Sequence, residues 1–549
     1  MDLQSNSLSV RYFSVVLFFV LWANFTLAQH KKPNVILILV DDMGYSDIGA
    51  YGSEIHTPNI DKLAREGIRL QQFYNNSICA PTRASLLTGQ YQHKAGVGYF
   101  DVNLGLPAYQ GYLNKESLTL AEVFGNAGYN TYMSGKWHVG RDSSGRQWPV
   151  QRGFSHFFGF LPGASAYRYY QRPLEGFNEP GPFYEDDKRV SFRNEKDFYL
   201  TDKIADYAVK YIDDAATADK PFFLYVAFNA PHWPLQAPEE EVKKYEGKYH
   251  IGWDSLRTLR LQGLKAKGLL DDRWQPAAND SGLPAWKDIT DSEKKDWERK
   301  MEVFAAMVDK MDQGVGKILG ELKKTGKEQN TLVVFLSDNG APGEDFGKFG
   351  GFGGKDSALA GTKVGEAGSF QSQGKNWSHV SNSPFKKYKA FAYEGGISTP
   401  LIVRLPGIIP ANKLAKGDAH IVDIAPTLYD MADVVYPAQY HHITPNKLAG
   451  VSIAPILTGK ADAIQDRPLF WERAGNRAVQ LGKWKIVSIF PSKTWELYNI
   501  EDDRGETNDL AASHPDIVQK YDWLYQQWAK DNGVVDFETL KDKVPQRRP

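Results

Sequence analysis

The chain is almost without cysteine: Cys79 is the only one in 549 residues. One thiol cannot close an internal disulfide, so no disulfide framework supports this fold. An excess of charge of one sign is also lacking, since 65 Lys and Arg face 66 Asp and Glu for a formal net charge of -1. Nucleic acid and acidic membrane surfaces are therefore excluded as main partners, because neither is drawn to an unspecialised field. The apolar run from Tyr12 to Phe25 is short for a membrane span, which makes an uncleaved anchor the lesser reading of this segment. With Arg11 before it and Ala28 at the cleavage position, residues 1–28 read as an export signal, and no cysteine stands at the junction to carry a lipid anchor. The expected location is periplasmic or secreted. The run Gly350-Gly351-Phe352-Gly353-Gly354 lacks the lysine-serine ending of a phosphate loop. What is present, 42% hydrophobic and 13% aromatic residues, is more than a disordered chain carries.

Length predicts one large α/β domain with a smaller companion, or two to three domain-sized units. Val35-Ile36-Leu37-Ile38-Leu39-Val40 is a continuous apolar run with β-branched residues, as in a strand buried on both faces of a parallel sheet. Asp41 and Asp42 follow at its carboxyl end, where open α/β sheets bind ligands. The same pattern recurs three times. Tyr129 to Ser134 leads to Gly135-Lys136-Trp137-His138, Pro221 to Phe228 leads to Asn229-Ala230-Pro231-His232, and Thr331 to Ser337 leads to Asp338-Asn339-Gly340. Between the strands, Thr57 to Gly67, Ser117 to Gly128 and Met301 to Leu319 carry helical apolar spacing. Residues 141–200 read as Gly-, Pro- and aromatic-rich loops, and 239–300 as a charged peripheral excursion. Beyond residue 460, short alternating strands and a helix over 514–530 predict a small antiparallel sheet with a helix. The division expected is 1–28 signal, 29–459 catalytic domain and 460–549 C-terminal subdomain.

Cys79 lies in Ser77-Ile78-Cys79-Ala80-Pro81-Thr82-Arg83, ahead of a helix with Pro81 in its first turn and Gly89 at its stop. A helix N-terminus favours an anion or a thiolate. The competing reading is a buried structural cysteine. Four strand ends with mutually compatible chemistry favour a site at which the cysteine is not buried. Asp and Asn are hard oxygen ligands that select Ca²⁺ or Mg²⁺ over zinc. Arg83, Lys136 and Lys389 add cations that suit a tetrahedral oxyanion, sulfate or phosphate, and the histidines can move protons near neutral pH.

Cys79-Ala80-Pro81-Thr82-Arg83 followed by Ala84-Ser85-Leu86-Leu87-Thr88-Gly89 resembles the signature of the formylglycine-dependent (type I) sulfatases, in their bacterial arylsulfatase branch. The likeness continues through Asp41-Asp42-Met43-Gly44, Gly135-Lys136-Trp137-His138, Ala230-Pro231-His232, Asp338-Asn339-Gly340, Lys389 with Glu394-Gly395-Gly396, and Glu506-Thr507-Asn508-Asp509-Leu510. It implies an alkaline-phosphatase-like fold: a mostly parallel central sheet flanked by helices, with the smaller antiparallel sheet behind it. It implies hydrolysis of aryl sulfates or sulfated carbohydrates through a covalent sulfo-enzyme, with Cys79 oxidised to formylglycine by a maturation enzyme and hydrated to a gem-diol nucleophile. It further implies one Ca²⁺ on Asp41, Asp42, Asp338, Asn339 and the matured residue 79. Arg83 would steady that residue, Lys136 and Lys389 would hold sulfate, His138 would assist collapse of the sulfated diol and His232 would protonate the leaving oxygen. Lys386 and Lys387 compete with Lys389 for its role. The rival readings are a phosphatase or phosphodiesterase of the same superfold, with a Ser/Thr nucleophile and two zinc ions, and an inactive carbohydrate-binding relative.

Overall fold

The computed structural model describes residues 31–140, 147–174, 179–218, 220–280, 282–346 and 362–544. The expected export signal and the run 350–354 lie outside these residues. Strands β1 (Asn34–Asp41), β2 (Ile68–Tyr74), β3 (Asn130–Lys136), β4 (His156–Phe160), β5 (Phe183–Glu185), β6 (Lys188–Val190), β7 (Phe222–Pro231), β8 (Thr331–Ser337), β9 (Leu401–Arg404) and β10 (Lys413–His420) form one sheet. Their order is β10-β2-β9-β8-β1-β7-β3-β4-β5-β6. β8, β1, β7, β3 and β4 run parallel as neighbours. β9 opposes its neighbours β8 and β2, and β5 and β6 close the far edge as an antiparallel pair.

β1 is central and buried throughout, and the alternation of a strand splits its side chains between two cores. Ile36, Ile38 and Val40 face a core shared with the helices Leu200–Ala216 and Asp291–Lys324. Val35, Leu37 and Leu39 face a second core that includes the helix Cys79–Thr88. With both faces covered, only the strand ends remain for polar chemistry, which puts Asp41, Lys136, His232 and Asp338 at one rim.

The second sheet has the order β11 (Leu469–Arg473), β12 (Asn476–Leu481), β13 (Trp484–Ser488) and β14 (Glu496–Asn499), is antiparallel, and is covered by the helix Pro515–Asn532. Four fully buried charges fasten it to the first sheet. Lys485 lies 2.9 Å from carboxylate oxygens of both Glu394 and Glu506, and Arg504 donates to Glu394 at 2.9 Å. Burial opposes the charge on Glu394, but Lys485 and Arg504 outweigh it and hold its carboxyl below the usual range. Burial pushes the Glu506 carboxyl up to about 7 despite Lys485. This gives Glu506-Thr507-Asn508-Asp509-Leu510 a structural part. Lys485→Met leaves two buried carboxylates short of a cation and is expected to cost about 3–5 kcal/mol of unfolding free energy. Urea titration checks this, and a loss below about 1 kcal/mol would contradict the fastening.

Two stretches differ from the sequence reading. Residues 141–200 are not all loop, because His156-Phe157-Phe158-Gly159-Phe160 is β4, parallel to β3. Gly159 faces Gly135 across that pair, and a Cβ on it would stand 1.8 Å from the Gly135 carbonyl oxygen, so this glycine permits close strand approach rather than a turn. Residues 239–300 are not peripheral either. The helix Gly252–Ala266 buries Arg260 against Asp47 and Glu54, and Trp253 and Trp286 pack edge to face in the core. Its charges are paired inside the protein, which composition alone does not reveal.

Candidate active site

The helix Cys79–Thr88 begins at Cys79 itself and stops at Gly89, whose left-handed φ of 65° glycine adopts without a Cβ penalty. Its position beside the strand ends aims Arg83 across them. The guanidinium meets Asp338 Oδ2 at 3.1 Å and Asp41 Oδ2 at 3.6 Å, and also donates to the Lys136 carbonyl at 3.3 Å. Lys136, ending β3, reaches Asp41 Oδ2 at 2.5 Å. Asp42 accepts from Lys389 at 2.7 and 2.8 Å and from the Asn339 amide at 2.6 Å, and its own N–H donates to Asp338 Oδ1 at 3.2 Å. His232 Nδ1 donates to the Trp233 carbonyl at 2.6 Å, leaving Nε2 facing Asp42 at 3.4 Å. His138 stacks on Phe100, with Nε2 3.7 Å from Asp101.

All the residues singled out in the sequence thus come together, and the three lysines separate. Lys389 enters the cluster, whereas Lys386 bonds Tyr498 at 3.1 Å and Lys387 pairs with Asp280 at 2.8 Å. The backbone is held unusually. Asp42, Ser77, His138 and Ala390 have φ of 67°, 61°, 59° and 78°, in the left-handed region that non-glycine residues seldom occupy. The Ala390 N–H donates to the Ser77 carbonyl at 2.8 Å, so two of these positions hold each other. Such strain persists where surrounding structure fixes a site.

Three buried carboxylates, Asp41, Asp42 and Asp338, face three buried cations, Arg83, Lys136 and Lys389, so the formal charges cancel. The balance is uneven residue by residue. Burial works against the charge on Asp41, yet Lys136, His232 and Arg83 hold its carboxyl far below the usual range. Burial raises Asp42 to about 6 against the pull of Lys389, and burial and Asp41 raise Asp338 well above its ordinary value. Asp41 Oδ1 and Asn339 Oδ1 are buried and receive no hydrogen bond among the described residues. Unpaired oxygens of this kind beside three carboxylates fit a hard divalent cation. Asp41, Asp42 and His232 also bring potential ligand atoms within 4.8 Å of one another.

Cys79 corrects one expectation. It is only 3% exposed, so the convergence of polar strand ends has not excluded burial. Burial pushes its thiol up to about 11, overriding Lys136 and Lys389, so the helix N-terminus does not yield a thiolate. It nevertheless lies in the wall of a cavity of about 570 Å³ that His138, His232 and Lys389 also line. The outer wall contains Tyr99, Phe100 and Glu344, from the loops 99–112 and 341–383 in which the sequence leads one to expect substrate specificity, with Trp233, Tyr388 and Arg473, of which Arg473 has no role in that reading. Gly163 shapes it too, since a Cβ there would stand 2.5 Å from His138 Nε2.

Buried acids paired with cations, beside the helix that starts at Cys79 and at the carboxyl ends of a parallel sheet, suit an anionic ester substrate. The chain belongs to the sulfatase family: the Sulfatase family model matches residues 33–434, and a second model, N-sulphoglucosamine sulphohydrolase, C-terminal, matches 385–527. It is a type I sulfatase, a sulfuric ester hydrolase. It is similar to an uncharacterised sulfatase of Schizosaccharomyces pombe, 36% identical over 543 residues, covering 92% of this chain and 95% of the relative. It is also similar to an arylsulfatase of Klebsiella aerogenes, 37% identical over 455 residues and covering 80% and 93%. The crystal structure of Ps i-CgsB in complex with k-i-k-neocarrahexaose superposes with a TM-score of 0.69 at 26% identity, covering 94% of this chain and 98% of that one.

Proposed function

We propose that this sulfatase releases inorganic sulfate from aryl sulfates or sulfated carbohydrates, with residue 79 matured from cysteine to formylglycine and one Ca²⁺ beside it. The observation that carries the reading is the neutral cluster of three carboxylates and three cations at the inner end of the cavity that Cys79 lines. The hydrated aldehyde supplies one diol oxygen to attack sulfur and a second hydroxyl whose deprotonation expels sulfate, so water never attacks sulfur. Asp41, Asp42, Asp338 and Asn339 would hold the cation together with residue 79, and it would polarise sulfate and nucleophile. Arg83 orients residue 79 from one turn along the same helix. Lys136 and Lys389 bind sulfate oxygens and offset the charge that grows as the ester S–O bond breaks. His232, kept neutral by burial with its Nδ1 proton on the Trp233 carbonyl, accepts the proton of the attacking hydroxyl at Nε2 and passes it to the departing alcohol oxygen, and His138 takes the proton of the second hydroxyl at Nε2.

The arylsulfatase relative and the sugar-bound neighbour support these two substrate classes. The apolar segment before residue 28 supports export to the periplasm or beyond, and maturation requires a formylglycine-generating enzyme. Removing the cation by chelation is expected to lower sulfate release at least about 100-fold and Ca²⁺ to restore it. Full activity in protein shown by elemental analysis to be free of metal would sink the metal assignment. Phosphate monoesters assayed alongside test the phosphatase alternative, which requires them to be the better substrates.

A further inference from the structure

Arg473 is the last residue of β11, in the C-terminal sheet, yet its side chain lines the cavity around Cys79. Its guanidinium lies over the rings of Tyr99 and Phe100, 5.6 and 5.4 Å from their centroids. Two aromatic faces fix the position of the group and leave its N–H edge for another partner. The Arg473 side chain makes no hydrogen bond or ion pair with the described residues, and its Nε is buried without an acceptor. The neighbouring carboxylate cannot serve: Glu472 is occupied by His93 at 2.7 Å and by the Gly475 N–H at 2.8 Å. Burial accordingly holds Arg473 below the ordinary arginine range against the opposing pull of Tyr99 and Glu472. A partly buried guanidinium whose Nε is shut away from solvent without an acceptor is costly to keep unless one arrives from outside. Elsewhere on the outer wall Glu344 Oε2 is buried without a donor, which suits a hydroxyl.

Resting on the sulfate-ester reading above, we propose that Arg473 is a second anion subsite, binding a sulfate or carboxylate on the same sugar as the scissile ester. Trp233 and Tyr388 then flank the sugar's apolar faces, while Tyr99 and Phe100 hold the guanidinium, and Glu344 accepts from a ring hydroxyl. The favoured substrates are polyanionic saccharides rather than simple aryl sulfates.

The test compares sulfate release from a hexose disulfate, the matching hexose monosulfate and 4-nitrophenyl sulfate, in matured wild type, Arg473→Gln and Arg473→Lys. Arg473→Gln should lower kcat/KM on the disulfate roughly 10- to 100-fold more than on the monosulfate, mainly through KM. Arg473→Lys should recover part of the difference, because it keeps the charge and loses the fork. Equal losses on all three substrates would overturn the proposal and make Arg473 a brace for Phe100 and His138. A wild type that does not prefer the disulfate would overturn it as well. Wild-type protein that releases no sulfate from any of them would instead overturn the proposed chemistry, a failure the variants cannot imitate.

Discussion

Cys79→Ala is expected to reduce kcat/KM for sulfate esters by at least about 10⁴-fold while the protein stays folded. The methyl group keeps the helix start and removes the only atom from which a nucleophile can be made. Ala is also the best helix former, so Cys79–Thr88 should persist with Arg83 still on Asp338. The unmodified thiol is a poor candidate for the work because burial raises it to about 11. Protein that escaped maturation should therefore resemble the alanine variant. Undiminished turnover by Cys79→Ala would place the nucleophile elsewhere.

The next largest effect is expected at Lys389. Lys389→Met should cost about 10² to 10³ in kcat/KM, the usual result of removing one preorganised charge from a developing oxyanion. It also strands Asp42, whose two oxygens the ammonium now holds at 2.7 and 2.8 Å. A thermal melt on the same sample separates lost catalysis from lost fold. Lys386→Met and Lys387→Met are the controls, because those side chains engage Tyr498 and Asp280 outside the cluster. Both should keep sulfate release within about threefold, as expected away from buried or reacting groups. Comparable losses at all three lysines would remove the special place given to Lys389.

What the sequence reveals follows from how each element is buried. β1, β7 and β8 announce themselves as unbroken apolar runs because both their faces are covered, and the polar residues after each run mark the ligand-binding rim. β2 and β10 do not, since Ile68-Arg69-Leu70-Gln71-Gln72 and Lys413-Leu414-Ala415-Lys416-Gly417-Asp418 mix in polar residues toward the sheet edge. Arg260 and Lys485 look like surface charges until their buried carboxylate partners are seen, Asp47 at 213 positions from Arg260 and Glu394 at 91 from Lys485. The inner cluster was legible because strand ends of a parallel sheet must meet. Arg473 was not: it reaches the cavity only through docking of the second sheet, and no local pattern signals that.

In the proposed chemistry residue 79 works as an aldehyde hydrate made from cysteine. Mass spectrometry of the peptide spanning residue 79, from protein produced with a maturation enzyme and shown to release sulfate, tests it most directly. This residue is expected to have lost its sulfur and to carry an aldehyde or its hydrate, in proportion to specific activity. Fully active protein in which Cys79 retains its sulfur throughout would contradict it.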